Sequence, residues 1–143
     1  MVESSRTFPS DLGQLTAMRE FLDTACRSAW AVEVDDEALC ELEVATQEAV
    51  TNIIRHGYGG REDGEIRIGF HVTPEAITVT VEDDAPPFDP HERPDPPLPP
   101  EGGDASGVGV YLIKRVMDEV DYRRNGSCNV LTLTKRTGRA TCR

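Results

Sequence analysis

The chain has 143 residues, 38% hydrophobic and 29% charged, with a formal net charge of −11 at neutral pH. That size and balance fit one soluble domain around a single core. The acidic excess argues against nucleic acid, whose phosphates are gripped by Lys and Arg, and is compatible with a basic protein partner or simply with solubility.

No apolar run is long enough to span a bilayer, and the N-terminal MVESSRTFPS lacks a signal-peptide core. No membrane partner and a cytoplasmic location are therefore expected. Cys26, Cys40, Cys128 and Cys142 stand far apart with no CxxC pair, and the chain has three histidines. Free thiols are expected rather than a zinc site.

Ser4 to Phe8 reads as a short edge strand ended by Pro9. Ser10 or Asp11 then caps a helix whose apolar positions Leu15, Met18, Phe21, Leu22 and Ala25 form one buried stripe. A longer helical run, Ala38 to His56, carries Leu39, Leu42, Ala45, Ala49, Val50, Ile53 and Ile54 at helical spacing. Asp35 and Asp36 precede it as N-cap candidates. Gly57 and Gly59 follow, where a helix end favours residues that tolerate positive φ. Glu48 and Asn52 are four apart, so they project to one side, one turn from each other. A carboxylate beside a carboxamide places an acid/base group next to a neutral oxygen ligand, and small Ala45 and Ala49 leave room for approach. On this helix alone, a solvated polar face is the commoner account of the pair.

After the loop GYGGREDG the period changes to two. Ile66, Ile68, Phe70 and Val72, then Ile77, Val79 and Val81, alternate with polar residues on either side of TPEA, predicting an antiparallel hairpin. The next residue on the second buried row is Asp83. Either the strand has ended and Asp83 belongs to a turn, or a carboxylate lies at the bottom of a pocket and accepts a hydrogen bond from a ligand. From Ala85 to Ser106 the composition shifts: eight of the ten prolines fall between Pro86 and Pro100, followed by GGDASG. Such a segment forms neither helix nor inner strand and reads as a lid or a disordered loop. Gly107-Val108-Gly109 opens a helix, VYLIKRVMDEV, with Val110, Ile113, Val116, Met117 and Val120 as its apolar set. Glycines at a helix N-terminus let backbone N–H groups approach an anion. Tyr122 to Arg124 and Val130 to Thr134 read as two strands around an Asn125-Gly126 turn, and the basic tail KRTGRATCR is expected to fray.

Taken in order, EAVTN, DDAPPFDP and GVGVYLIKRVMDEV resemble the motifs of the anti-sigma-factor serine/threonine kinases of the GHKL ATPase superfamily. The resemblance runs from TFPS to NVLTLTKR. It implies an α/β (α+β) two-layer sandwich of the Bergerat type, with a mixed, mostly antiparallel sheet and helices on one face. Residues 1–143 would be a single domain, with 85–106 as the ATP lid. It further implies Glu48 as the general base that activates a protein hydroxyl, and Asn52 as the ligand of a Mg²⁺ bridging the ATP phosphates. Asp83 would accept a hydrogen bond from the adenine amino group. Gly107, Val108 and Gly109 would be the second glycine box, against the phosphates. The substrate implied is a STAS-type anti-anti-sigma protein, the competing partner a sigma factor, and a homodimer is expected. One position departs from the pattern: the first glycine box reads Asp-x-Gly, and Ala85 occupies the glycine position. A methyl group there weakens ATP binding if the position needs positive φ or close contact with adenine.

The leading expectation is an ATP-dependent protein kinase acting as an anti-sigma factor in a partner-switching pathway. Its rival is a non-catalytic binding module that sequesters a regulatory protein, with Ala85 as its support. The ATPase half of a histidine kinase fits less well: no helical hairpin offers a phosphoacceptor, and His56, His71 and His91 fall at a helix end, in a strand and in the lid.

Overall fold

The computed structural model describes residues 2–28, 36–73, 75–87 and 108–136. Among the described residues five strands form one sheet: β1 (Val2–Pro9), β2 (Glu65–Val72), β3 (Ala76–Asp83), β4 (Glu119–Asn125) and β5 (Cys128–Arg136). Their spatial order is β1-β2-β3-β5-β4, and every pairing among the described residues is antiparallel. Pro9 closes the edge strand β1, where a missing N–H interrupts no inner ladder. Alternation then decides the faces. Ile66, Ile68, Phe70, Val72, Ile77, Val79, Val81, Leu131 and Leu133 are buried on one side of the sheet, and each fully buried side chain of this size contributes roughly 1.5–3 kcal/mol.

Three helices among the described residues cover that side: α1 (Leu15–Ser28), α2 (Asp36–Asn52) and α3 (Val108–Val116). The central one, α2, packs against both α1 and α3 and over β3 and β5. In the middle of its core stripe, Leu42, Ala45, Ala49 and Val50 are 2% exposed or less. A 3-10 turn at Leu12–Gln14, capped by the Asp11 carboxylate on the Gly13 N–H, leads into α1. Buried Ser10 pins the loop after α2: its hydroxyl donates to Arg61 O (2.7 Å) and accepts from Gly64 N (3.0 Å). Among the described residues no helix is long and apolar enough to cross a membrane, and Cys26, Cys40 and Cys128 are free thiols. Cys142, Asp35 and the tail from 137 lie outside the described residues.

Three elements differ from the sequence pattern. The long helix stops being α-helical at Asn52 and ends in a π turn, Ile53–Gly57, in which Tyr58 N–H reaches Ile53 O at 2.8 Å. The helix read as running to Val120 ends at Val116. Asp118 N–H already bonds to Thr134 O at 2.9 Å, and Val120 and Tyr122 pair with Leu133 and Leu131. Strand pairing with β5 outcompetes a helical period that both structures could have used. The hairpin between β4 and β5 turns on Gly126-Ser127 rather than Asn125-Gly126, with Gly126 at φ 65° and Asn125 paired to Cys128.

Candidate functional site

Two apolar rows end in polar residues at the same place. The row Ile77, Val79, Val81 of β3 continues to Asp83, and the row Leu133, Leu131 of β5 continues to Asn129; the register sets Asp83 opposite Asn129, with Ile66 on its other flank. Asp83 is therefore a strand residue, not a turn residue, and it is only 3% exposed, as Asn129 is 4%. Burying a carboxylate demands hydrogen bonds. Asn129 Nδ2 donates to Asp83 Oδ1 at 2.8 Å, and the Ala85 N–H donates to the same oxygen at 2.9 Å. Oδ2 receives no hydrogen bond among the described residues.

Asn129 is itself held from all sides. Its Nδ2 also donates to Ala85 O (2.9 Å) and Pro86 O (3.2 Å), while its Oδ1 accepts from the Tyr122 hydroxyl and from Arg124 (3.0 Å). Arg124 reaches Ala85 O as well, at 2.8 Å. Burial pushes the Asp83 carboxyl above the ordinary aspartate range; the bonds from Asn129 and Ala85 pull it back, the neighbouring Asp84 adds to the rise, and Arg124 opposes it. Beside this cluster, buried Tyr58 donates to Glu65 O (2.7 Å) and accepts from the Asp84 N–H (2.9 Å). Its hydroxyl is pushed up by burial, which keeps it a donor.

Beside Asp83 a small cleft opens among α2, α3 and β5; the empty space in and around it, open solvent at its mouth included, is about 420 Å³. Its walls are mostly aliphatic: Ala49 and Ile53 on one side, Val110 and Ile113 of α3 on another, Leu131 from the sheet and Pro86 beyond. Asn52, Asp83, Tyr122 and Asn129 supply the polar groups. An aliphatic slot with one buried acceptor oxygen at its floor suits a flat ring that carries an amino group. Asn52, at the rim-side end of α2, brings a carboxamide oxygen of the kind Mg²⁺ accepts alongside phosphate oxygens.

Of the residues singled out in the sequence, Asn52 and Asp83 line this cavity together with Ala49; Ala45 is buried beneath it and does not. Glu48 is half-buried one turn before Asn52 and is not part of the cavity lining. Val108 and Gly109 are the first two residues of α3, whose next residue, Val110, is in the wall. Gly107 and the lid residues 88–106 lie outside the described residues. Ala85 has no positive φ and is not among the residues that line the cavity.

Asn129, Tyr122 and Arg124 were missed. The signal for Asn129 was present: the row Leu133, Leu131 extended by two residues ends on a carboxamide, as the β3 row ends on a carboxylate. Tyr122 and Arg124 left no such trace, because their role depends on the register of β4 against β5.

Residues 8–135 match the family described as the histidine kinase-like ATPase domain. The chain is similar to a protein named serine-protein kinase RsbW of Listeria innocua, 35% identical over 103 residues, which covers 67% of this chain and 66% of that protein. It is also similar to the anti-sigma F factor of Clostridium novyi, 37% identical over 86 residues, 59% of this chain and 60% of that one. These matches thus span just under two thirds of the relatives' length. Among solved structures, the RsbU and RsbW domains of a Mycobacterium tuberculosis protein superpose with a TM-score of 0.67 at 15% identity, over 95% of this chain and 32% of that one. The catalytic domain of the histidine kinase ThkA gives 0.55 at 14% identity, over 94% and 96% of the two chains. At such identities the likeness speaks for the fold alone.

Proposed function

The chain belongs to the histidine kinase-like ATPase domain family, and on that premise we propose that it binds ATP with Mg²⁺ in this cavity. We further propose that it transfers the terminal phosphoryl group to a serine or threonine of a STAS-type anti-anti-sigma protein and sequesters a sigma factor as the alternative partner. The observation that carries the reading is Asp83: a buried carboxylate that lines an aliphatic cavity, with Oδ1 bonded to Asn129 and the Ala85 N–H and no hydrogen bond to Oδ2 among the described residues. An unsatisfied acceptor in such a place is costly unless a ligand donor meets it, and the adenine amino group is such a donor.

Residue roles follow from position. Bound ATP would supply the phosphoryl group, and Mg²⁺ would neutralise charge on its oxygens. Asn52, on the cavity wall, would offer the metal one oxygen. Glu48 stands one helical turn from Asn52 and outside the slot, so it would take the proton from an incoming hydroxyl rather than touch the base. Phosphoryl transfer asks the protein mainly for positioning and charge neutralisation, which two side chains on one helix provide. The backbone at Val108 and Gly109, opening α3, would face the phosphates with its free N–H groups. Phosphate on the substrate adds about two negative charges at neutral pH, and repulsion from a chain of net charge −11 would release the product. Two copies would form the working assembly.

The rival reading is a module that binds partners without catalysis, with Ala85 in the glycine position as its support. The deciding experiment is phosphotransfer from radiolabelled ATP to a STAS-type protein, with Glu48→Ala beside the wild type. Transfer is expected to fall by roughly 100-fold or more in the variant, with ATP affinity within about threefold of wild type. Equal transfer would remove Glu48 from its role. Tight ATP binding by the wild type without any transfer would favour the non-catalytic module.

A further inference from the structure

Gly57 closes the π turn and lines the cavity, yet its backbone does not call for glycine: among the described residues the glycines with positive φ are Gly59, Gly60 and Gly126. What it requires is space. A Cβ placed on Gly57 would stand 2.9 Å from the Ala85 Cβ, where ordinary contact begins near 3.4 Å. Something would then have to retreat by about half an ångström, and neither side is free to do so. Ala85 is 1% exposed. Its N–H is bonded to Asp83 Oδ1 and its carbonyl to both Asn129 and Arg124. On the other side, Gly57 shares its turn with Ile53, which is also a cavity wall.

We propose that Gly57 is a positioning residue for ligand recognition: the bare backbone at 57 admits the Ala85 methyl and thereby fixes where the Asp83 carboxylate lies. Residues 57 and 85 form one unit that holds one methyl group and not two. This inference rests on the adenine-nucleotide reading of the cavity.

The test is a double-mutant cycle on the full chain: wild type, Gly57→Ala, Ala85→Gly and the two combined. ADP affinity is measured by calorimetry with GDP as control, and melting is recorded without nucleotide. Gly57→Ala is expected to weaken ADP binding roughly tenfold or more, as small-to-large changes do in packed sites. Ala85→Gly is the reference for the pair, and the combined variant should bind ADP within about threefold of it, a coupling that independent sites do not show. A folded Gly57→Ala protein that binds ADP like wild type overturns the proposal, and so does a combined variant that binds as weakly as the single one. Should Gly57→Ala fail to fold, the combined variant decides: folding and binding support the pairing, failure of either overturns it. A well-folded wild type that binds no ADP is a different result, which overturns the nucleotide reading and this inference with it.

Discussion

At the scale of single residues, Asp83 carries both a cost and a use. Its carboxylate is desolvated and its pKa is raised in the folded chain. The unfolded chain therefore binds fewer protons in the window between the ordinary and the raised value, and stability from this group falls as pH rises through it. At neutral pH the penalty is present. Asp83→Asn keeps an oxygen to accept from Asn129 and Ala85 and discards the charge, so its melting temperature is expected to equal or exceed that of wild type. ADP affinity should fall by roughly 10- to 100-fold, the worth of one charge-assisted hydrogen bond. In wild type, affinity should already decline as pH is lowered toward the ordinary aspartate range, because the raised pKa means that the accepting form is lost above it; the Asn variant should be flat. Calorimetric titration across that range checks both, and an equal slope in the two proteins would exclude Asp83 as the acceptor.

This residue was legible because the period-two row of β3 runs straight into it. Asn129 was equally legible in principle, but its row is shorter and its strand was read as beginning one residue later. Gly57 was misjudged for a physical reason. Glycine after a helix suggests positive φ, and here that role belongs to Gly59 and Gly60, whereas Gly57 answers to a residue 28 positions away.

At the scale of elements, the region after α2 decides how the site is held. The π turn carries Tyr58 between β2 and the end of β3, where its hydroxyl joins Glu65 O to the Asp84 N–H. Tyr58→Phe leaves both backbone groups without that partner and is expected to cost about 1–3 kcal/mol. A lower urea midpoint at unchanged slope would report it; an unchanged midpoint would mean that water takes over the hydroxyl's place. Sequence alone gave the helix its core stripe but not its π ending, because the same apolar spacing serves either winding over one turn. The boundary between α3 and β4 was hidden for a related reason. Val116, Met117 and Val120 satisfy a helical period, and only the partner strand β5, not yet known to lie beside them, claims Val120 for the sheet.

At the scale of the whole molecule, the order β1-β2-β3-β5-β4 contains two local hairpins, β2 with β3 and β4 with β5, joined along the β3–β5 seam. Asp83 meets Asn129 across that seam, from positions 46 residues apart. Long-range pairing requires loop closure before any contact compensates it, so local hairpins lead. Pulse-labelled hydrogen exchange during refolding should show amides of the two hairpins protected before those of the β3–β5 ladder, and simultaneous protection would refute that sequence of events. The seam thus sets a birth order. A growing chain holds Glu48, Asn52 and Asp83 early, but the floor beneath a ligand does not exist until β5 has been made and zipped against β3. Any binding in this cavity therefore waits on the β3–β5 seam, whichever parts of the chain are made before it.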